Sequence, residues 1–217
     1  MKIVNILGGL GNQMFQYALA LALQYQCKDM SEVRIDPRAF RGYPIHNGYE
    51  LKRIFNVEIP ETTISEVMKV AYPYLKYRIW QLCRLLPKRS TMKYEWKSMA
   101  YDESVLTDTT DRYLIGYWQT ERYFRSIRNE ILKAFAFPSF TSNSQNETLS
   151  KELQQRRSIA VHIRRGDYLK INNTSGICTI DYYKKAIAYM QGASSPELFA
   201  IFSDDIDWCM EQFEAII

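Results

Sequence analysis

The feature that most constrains this chain is its opening segment, where a short apolar run, a pair of glycines and a helical repeat follow one another directly. Lys2-Ile3-Val4-Asn5-Ile6-Leu7 is mostly apolar and is ended by Gly8-Gly9, as a buried strand is. From Asn12 to Gln26 the residues Met14, Phe15, Ala18, Leu19, Ala22 and Leu23 recur three and four apart, which predicts a helix with one face on a sheet. Val33-Arg34-Ile35-Asp36 reads as a second strand, stopped by Pro37. Strand, turn, helix and strand in that order predict an α/β architecture with a parallel sheet.

The pattern returns further along. Tyr113 to Trp118 reads as a strand and Glu121 to Phe137 as a helix. Residues 139–150 are polar and are predicted to form a linker. After them come an apolar strand at Ile159 to Ile163, a helix at Tyr182 to Met190, and a strand at Leu198 to Phe202 whose Ser203-Asp204-Asp205 can cap the next helix. Two α/β domains are expected, 1–150 and 151–217, with no internal repeat. A hydrophobic content of 47% over 217 residues supports a real core and excludes wholesale disorder.

Four cysteines (Cys27, Cys83, Cys178 and Cys209) stand far apart without a Cys-x-x-Cys pair, so neither a zinc ribbon nor a disulfide scaffold is expected. The first apolar run is too short for a signal peptide, and nowhere do eighteen apolar residues run together. A reduced, cytoplasmic protein is the expectation, on which the sequons at Asn146, Asn172 and Asn173 are chance matches.

The formal charge of +4 is too small for a dedicated nucleic-acid binder unless it is clustered, and it is clustered. Between residues 69 and 97 stand Lys69, Lys76, Arg78, Arg84, Lys88, Arg89, Lys93 and Lys97 against one acid, Glu95. The remainder of the chain is therefore net acidic. Tyr72, Tyr74, Tyr77, Trp80 and Trp96 are interleaved with the cations. Three readings fit: a solvated helix whose aromatics pack inward, a lipid-facing element, or a single-strand nucleic-acid groove. Nothing else in the chain supports the third.

Three constellations carry possible chemistry. Gly8-Gly9-Leu10-Gly11-Asn12-Gln13 lies between strand and helix, where glycines let a ligand approach the backbone. It is not a dinucleotide fingerprint, because Met14 stands where a small residue must pack, and there is no Gly-Lys-Ser/Thr. The uncharged Asn12 and Gln13 suit hydroxyl groups better than phosphate. His162-Ile163-Arg164-Arg165-Gly166-Asp167 runs out of a strand at its carboxyl end, where open α/β sheets bind ligands. Strand alternation places His162 and Arg164 on one face and Arg165 on the other. A diphosphate is a natural partner for two guanidiniums, and an Arg–Asp pair holding the loop is the structural alternative. Ser203-Asp204-Asp205-Ile206-Asp207-Trp208 offers caps, a nucleotide contact or an Asp-x-Asp metal site. With only His46 and His162 as histidines, a zinc enzyme is not expected.

Taken together, four segments resemble the bacterial α-1,2-fucosyltransferases, related to the animal H-antigen transferases. They are Gly8-Gly9-Leu10-Gly11-Asn12-Gln13-Met14-Phe15-Gln16-Tyr17, Gly116-Tyr117-Trp118-Gln119-Thr120-Glu121-Arg122-Tyr123-Phe124, His162-Ile163-Arg164-Arg165-Gly166-Asp167-Tyr168, and Phe202-Ser203-Asp204-Asp205-Ile206-Asp207-Trp208-Cys209. The resemblance implies a GT-B-like pair of Rossmann-like domains with the active site in the cleft between them. It implies transfer of L-fucose from GDP-fucose, with inversion and without a required metal or other cofactor, to the 2-hydroxyl of a galactose-type acceptor in surface-polysaccharide or O-antigen synthesis. His162, Arg164 and Arg165 would bind the donor, with Tyr183, Ser203, Asp204 and Asp205 completing its pocket. Arg164 and Arg165 would also stabilise the departing diphosphate, and Asp167 is the candidate base. Gly9, Gly11, Asn12 and Gln13 would lie on the acceptor side.

Family members usually continue well past the Asp-Asp unit, so on the resemblance the second domain is truncated. Exposed sheet edges and association are then expected. An inactive GDP-sugar-binding remnant and a Mn²⁺-dependent transferase using Asp205 and Asp207 are the rival readings. The basic stretch would hold the protein at the inner face of the cytoplasmic membrane, near a lipid-linked acceptor, with no nucleic-acid partner.

Overall fold

The computed structural model describes residues 1–26, 32–44, 46–166, 168–169 and 178–214. Cys27, Asp167, Asn172 and Asn173 lie outside the described residues. Two compact units divide the chain, Met1–Pro138 and Ser139–Ile217.

The first unit holds strands β1 (Lys2–Asn5), β2 (Val33–Asp36), β3 (Met92–Tyr94) and β4 (Arg112–Ile115), all parallel, in the order β2-β1-β4-β3. Alternation along the strands explains why they read as unbroken apolar runs. Ile3 and Tyr113 enter one core cluster with Val67, Tyr74 and Trp80, while Val4 and Leu114 enter the other with Leu19, Leu23 and Trp118. Helix α1 (Leu10–Gln26) supplies Leu19 and Leu23, as its repeat predicts, together with Tyr17 and Ala20, which lie outside that repeat, to the second cluster. Short helices α2 (Leu51–Phe55), α3 (Ile64–Val70), α4 (Tyr77–Cys83), α5 (Ser104–Thr107) and α6 (Arg128–Ala134) complete the unit. Helix α3 starts on a capping box, in which the Thr63 hydroxyl accepts from the Glu66 N–H and the Glu66 carboxylate accepts from the Thr63 N–H.

The long helix predicted from Glu121 to Phe137 is broken into two 3-10 turns, Glu121–Tyr123 and Arg125–Ile127, before α6 begins. Tyr123 is the cause. Its ring is fully buried edge-on to Trp118, and its hydroxyl accepts from the Asp102 N–H, which fixes the backbone away from a continuous helix.

The second unit contains α7 (Gln145–Gln155), β5 (Ser158–Ile163), α8 (Ile180–Ser194), β6 (Leu198–Ser203) and α9 (Ile206–Phe213). Half of the predicted linker is therefore helix. The Ser144 hydroxyl accepts from the Glu147 N–H, and the Glu147 carboxylate accepts from the Asn143 N–H. This Ser-x-x-Glu start signal outweighs the low apolar content. Strands β5 and β6 pair in parallel over six residues, joined through α8. They are less buried than an apolar run suggests, with Ile163 alone fully covered and Phe202 exposed. A small core of Ile163, Tyr183, Ile187, Cys209 and Phe213 holds the unit. Among the described residues, no helix is long and apolar enough to cross a membrane.

Candidate functional site

The register of β5 and β6 decides what meets at their carboxyl ends. Ile163 pairs with Ser203, so Arg164-Arg165 and Asp204-Asp205 leave the sheet side by side. The Asp204 carboxylate accepts from the backbone N–H groups of Arg165 (2.8 Å) and Gly166 (3.1 Å). A side chain at 166 would collide with it, since a Cβ there would stand 2.8 Å from Asp204 Oδ2. A larger residue there would have to displace the Asp204 carboxylate. Arg165 Nε donates to Asp205 Oδ2 at 2.9 Å, and its guanidinium lies 3.7 Å from the Trp208 ring centroid. The guanidinium of Arg164, an exposed residue, lies over Tyr168 at 4.5 Å.

Arg164, Arg165, Tyr168 and Trp208 line a cavity of about 340 Å³ that also takes in His162, Thr179 and Tyr183, whereas Ser203, Asp204 and Asp205 do not line it. Tyr183 is buried against Phe213 and Tyr182. Burial raises its phenol pKa, with Cys178 adding to the shift, so it stays a neutral hydroxyl. The cavity therefore combines two oriented guanidiniums with three aromatic rings, a set suited to a polyanion attached to a flat ring.

The structure brings together His162, Arg164, Arg165 and Tyr183 on that cavity. The expected division of the arginines between two strand faces does not hold, because β5 ends at Ile163 and alternation ends with it. Asp205 occupies the N-cap position of α9 without capping it, its carboxylate being turned to Arg165 instead. Ser203 Oγ accepts from the Asp205 N–H and shapes the same turn. Asp167 lies outside the described residues. Among the described residues no three His, Cys, Asp or Glu side chains are grouped as metal ligands.

The glycine turn of the first unit is a second polar focus. Gly8 has φ +95°, and a Cβ on it would meet Asn12 Nδ2 at 2.8 Å and the Tyr117 ring at 3.2 Å. Asn12 Oδ1 accepts from Gln119 Nε2 at 2.7 Å, joining two of the segments that the sequence singles out. Gly9 faces the His46 ring, and Gly11 is exposed with open space around it. Gln13 was expected to face an acceptor, yet it is fully buried. Its amide donates to the carbonyls of Gly8 and Gly48 and accepts from the Glu50 N–H, leaving nothing for a ligand. Gln16 is also buried, accepting from the Leu7 N–H and donating to the Gly116 carbonyl.

Three residues that the sequence motifs include or mention without a role are placed at these sites by the structure: Trp208, Tyr168 and His46. Trp208 and Tyr168 stand in the same segments as Asp205 and Arg164, but only the folded loops bring them to the Arg165 and Arg164 guanidiniums. For His46 too, only the folded loop brings it to Gly9.

A family model described as Glycosyl transferase family 11 matches residues 64–217. An alpha-1,2-colitosyltransferase of Escherichia coli is 31% identical over 95% of this chain and 70% of its own length. The O-antigen biosynthesis glycosyltransferase WbnK of Escherichia coli is 30% identical over 95% of this chain and 73% of its length. Galactoside alpha-(1,2)-fucosyltransferase 1 of Rattus norvegicus is 26% identical over 95% of this chain and 50% of its length. No solved structure matches.

Proposed function

This chain belongs to glycosyl transferase family 11, and from that premise we propose that it transfers L-fucose from GDP-fucose to the 2-hydroxyl of a galactose-type acceptor, with inversion. The single observation that carries the proposal is the pairing of Arg164 and Arg165 with Tyr168, Tyr183 and Trp208 around one cavity. The guanidiniums receive the diphosphate and the rings flank the base. A GT-B-like organisation is part of the same reading, with the second unit as the donor side and Gly9, Gly11 and Asn12 of the first as the acceptor side.

In the reaction the acceptor oxygen attacks the anomeric carbon. The bond from that carbon to the phosphate oxygen breaks, and its electron pair leaves with GDP. Charge grows on the diphosphate, where Arg164 and Arg165 stabilise it; this is the role a metal ion plays elsewhere. Arg165 is held beforehand by Asp205 and Trp208, so little reorganisation accompanies the step. The hydroxyl proton goes to a base, a role we give to Asp167. The work belongs to O-antigen or surface-polysaccharide assembly on the cytoplasmic side, and the acceptor is lipid-linked.

A second reading keeps the site and changes the sugar to colitose, favoured by the likeness to the colitosyltransferase. Calorimetric titration of the chain with GDP, with UDP as the control, both with and without EDTA, tests the shared part. Metal-independent binding of GDP and not of UDP is expected. Equal binding of the two nucleotides, or loss in EDTA, would overturn the donor assignment. Turnover of the two sugar donors then separates fucose from colitose.

A further inference from the structure

The basic stretch of the first unit acquires a definite surface once its aromatic rings are placed. Tyr74 and Trp80 are only 1% and 7% exposed, and Tyr77 stacks on Trp80 at 5.8 Å with 17° between the planes. These rings therefore serve the core. What faces outward from α4 and the turn after it is aliphatic, with Leu82, Leu85 and Leu86 64%, 83% and 46% exposed, while Trp96, farther along the stretch, is 69% exposed.

The turn is tied down. Arg89 donates to the carbonyls of Met68, Lys69 and Ala71, and the Tyr72 hydroxyl donates to the Pro87 carbonyl at 2.6 Å. Those bonds draw the end of α3, with the exposed Met68 and Lys69, against the leucine turn. Among the described residues Lys69, Lys76, Arg78 and Lys88 form no ion pair with a carboxylate, and all four are exposed.

We propose that α4 and the turn through Lys88 dock on an anionic lipid surface, with Leu82, Leu85 and Leu86 entering the headgroup boundary and the surrounding cations meeting lipid phosphates. Charge complementarity selects this occupant. A protein partner would have to desolvate lysines that no carboxylate neutralises, Lys88 resting on the Tyr94 ring at 4.4 Å instead, and lysine is depleted at interfaces. A single-stranded nucleic acid needs a run of exposed rings to stack on, and here Tyr74 and Trp80 are turned inward, the exposed Trp96 lying outside α4 and its turn. Exposed aliphatics framed by basic side chains are the signature of an interfacial element, whose binding combines apolar insertion with attraction to anionic headgroups. Long lysine stems also let their charges reach the headgroups from the protein edge.

The test is co-sedimentation of the whole chain with vesicles of equal parts phosphatidylcholine and phosphatidylglycerol, against vesicles of phosphatidylcholine alone. Binding to the anionic vesicles at low salt and none to the neutral ones is expected. The double variant Leu82→Gln, Leu85→Gln alters only exposed side chains, so it should keep the wild-type circular dichroism and melting temperature. It should lose vesicle affinity by roughly tenfold or more. Arg78→Gln with Lys88→Gln should weaken binding and flatten its salt dependence. Absence of vesicle binding, or full affinity in the leucine double variant, overturns the proposal. So does an oligonucleotide that displaces the vesicles and binds the leucine variant as tightly as wild type, an outcome that would assign the patch to nucleic acid. The proposal does not rest on the transferase reading, and transfer to a water-soluble acceptor should be the same in the leucine variant and the wild type.

Discussion

The two units use polar side chains in opposite ways. In the first, Gln13, Gln16, Asn5, Asp36 and Arg38 are buried and hydrogen-bond to the protein itself, although Arg38 Nη2 has no partner among the described residues. Asp36 alone receives the Arg38 guanidinium at 2.8 Å and the Tyr113 hydroxyl at 2.7 Å. In the second, His162 and Arg164 stand exposed on a cavity, over a sheet of two strands and a core of five buried residues. The contrast teaches that the same residue types in equally distinctive motifs can be structural in one place and ligand-facing in another. Burial separates the two cases, because a buried polar group must find its partners inside the fold.

The largest expected effect tests the exposed side of that contrast. Arg164→Ala should lower transfer by about 10²–10³-fold with the melting temperature unchanged, and Arg164→Lys should recover little, since a point charge lacks the two-pronged fork. A clear loss of stability with transfer intact would invert the comparison. Gln13→Leu should do the converse, costing about 3 kcal/mol in denaturant unfolding because the Gly8 and Gly48 carbonyls and the Glu50 N–H are left unpartnered. A cost under about 1 kcal/mol would show that the buried glutamine is dispensable.

Gly166→Ala should have a smaller effect, lowering GDP affinity by roughly tenfold as the new methyl pushes Asp204 off the arginine loop. Unchanged affinity would mean that the Asp204 clamp does not position Arg165. The mildest prediction concerns acid. At Asp108, burial works against the charge, but the Thr110 hydroxyl and N–H, Arg112 and Lys2 outweigh it and hold the carboxyl well below its ordinary range. Asp102, beside Lys93, and Glu66, bonded to the Thr63 N–H, are also lowered. A carboxylate with a depressed folded pKa adds stability that is fully present above its unfolded value and is lost as pH falls through the folded one. All three belong to the first unit, whereas Glu147, lowered by Lys151 and the Asn143 N–H, belongs to the second, so hydrogen-exchange protection should weaken more in the first unit as the pH is lowered below about 4. Weakening confined to the second unit would sink this assignment.

Much of this was legible in the sequence for particular physical reasons. The strands at Lys2, Val33, Tyr113, Ile159 and Leu198 announce themselves because parallel strands covered on both faces are apolar throughout, although the last two are covered less than their composition implies. The convergence of Arg164 and Arg165 with Asp204 and Asp205 follows from placing both pairs after strands of one sheet. Gln13 was not legible, since its neighbours Gly48 and Glu50 come from a loop whose path no local pattern fixes. The break before α6 was hidden too, because helical periodicity cannot report that Tyr123 is held by Trp118 and Asp102. Helix α7 was missed for a different reason, as its Ser144 and Glu147 start signal was present and the polar composition was allowed to override it.

One consequence of the sheet order concerns the chain while it is being made. Strand β1 is synthesised well before β4, and it can take β2 on one side soon after it emerges. Its other neighbour is β4, with Lys2 paired to Arg112, so that side has no partner until the middle of the chain has been built. At ribosomal speeds of about 5–20 residues per second, the interval is on the order of ten seconds. Throughout it, the row of backbone groups along Ile3 and Val4 remains a template for pairing with any other nascent strand. The yield of this protein in a cell should therefore depend on translation rate and chaperone supply more than its folded stability suggests.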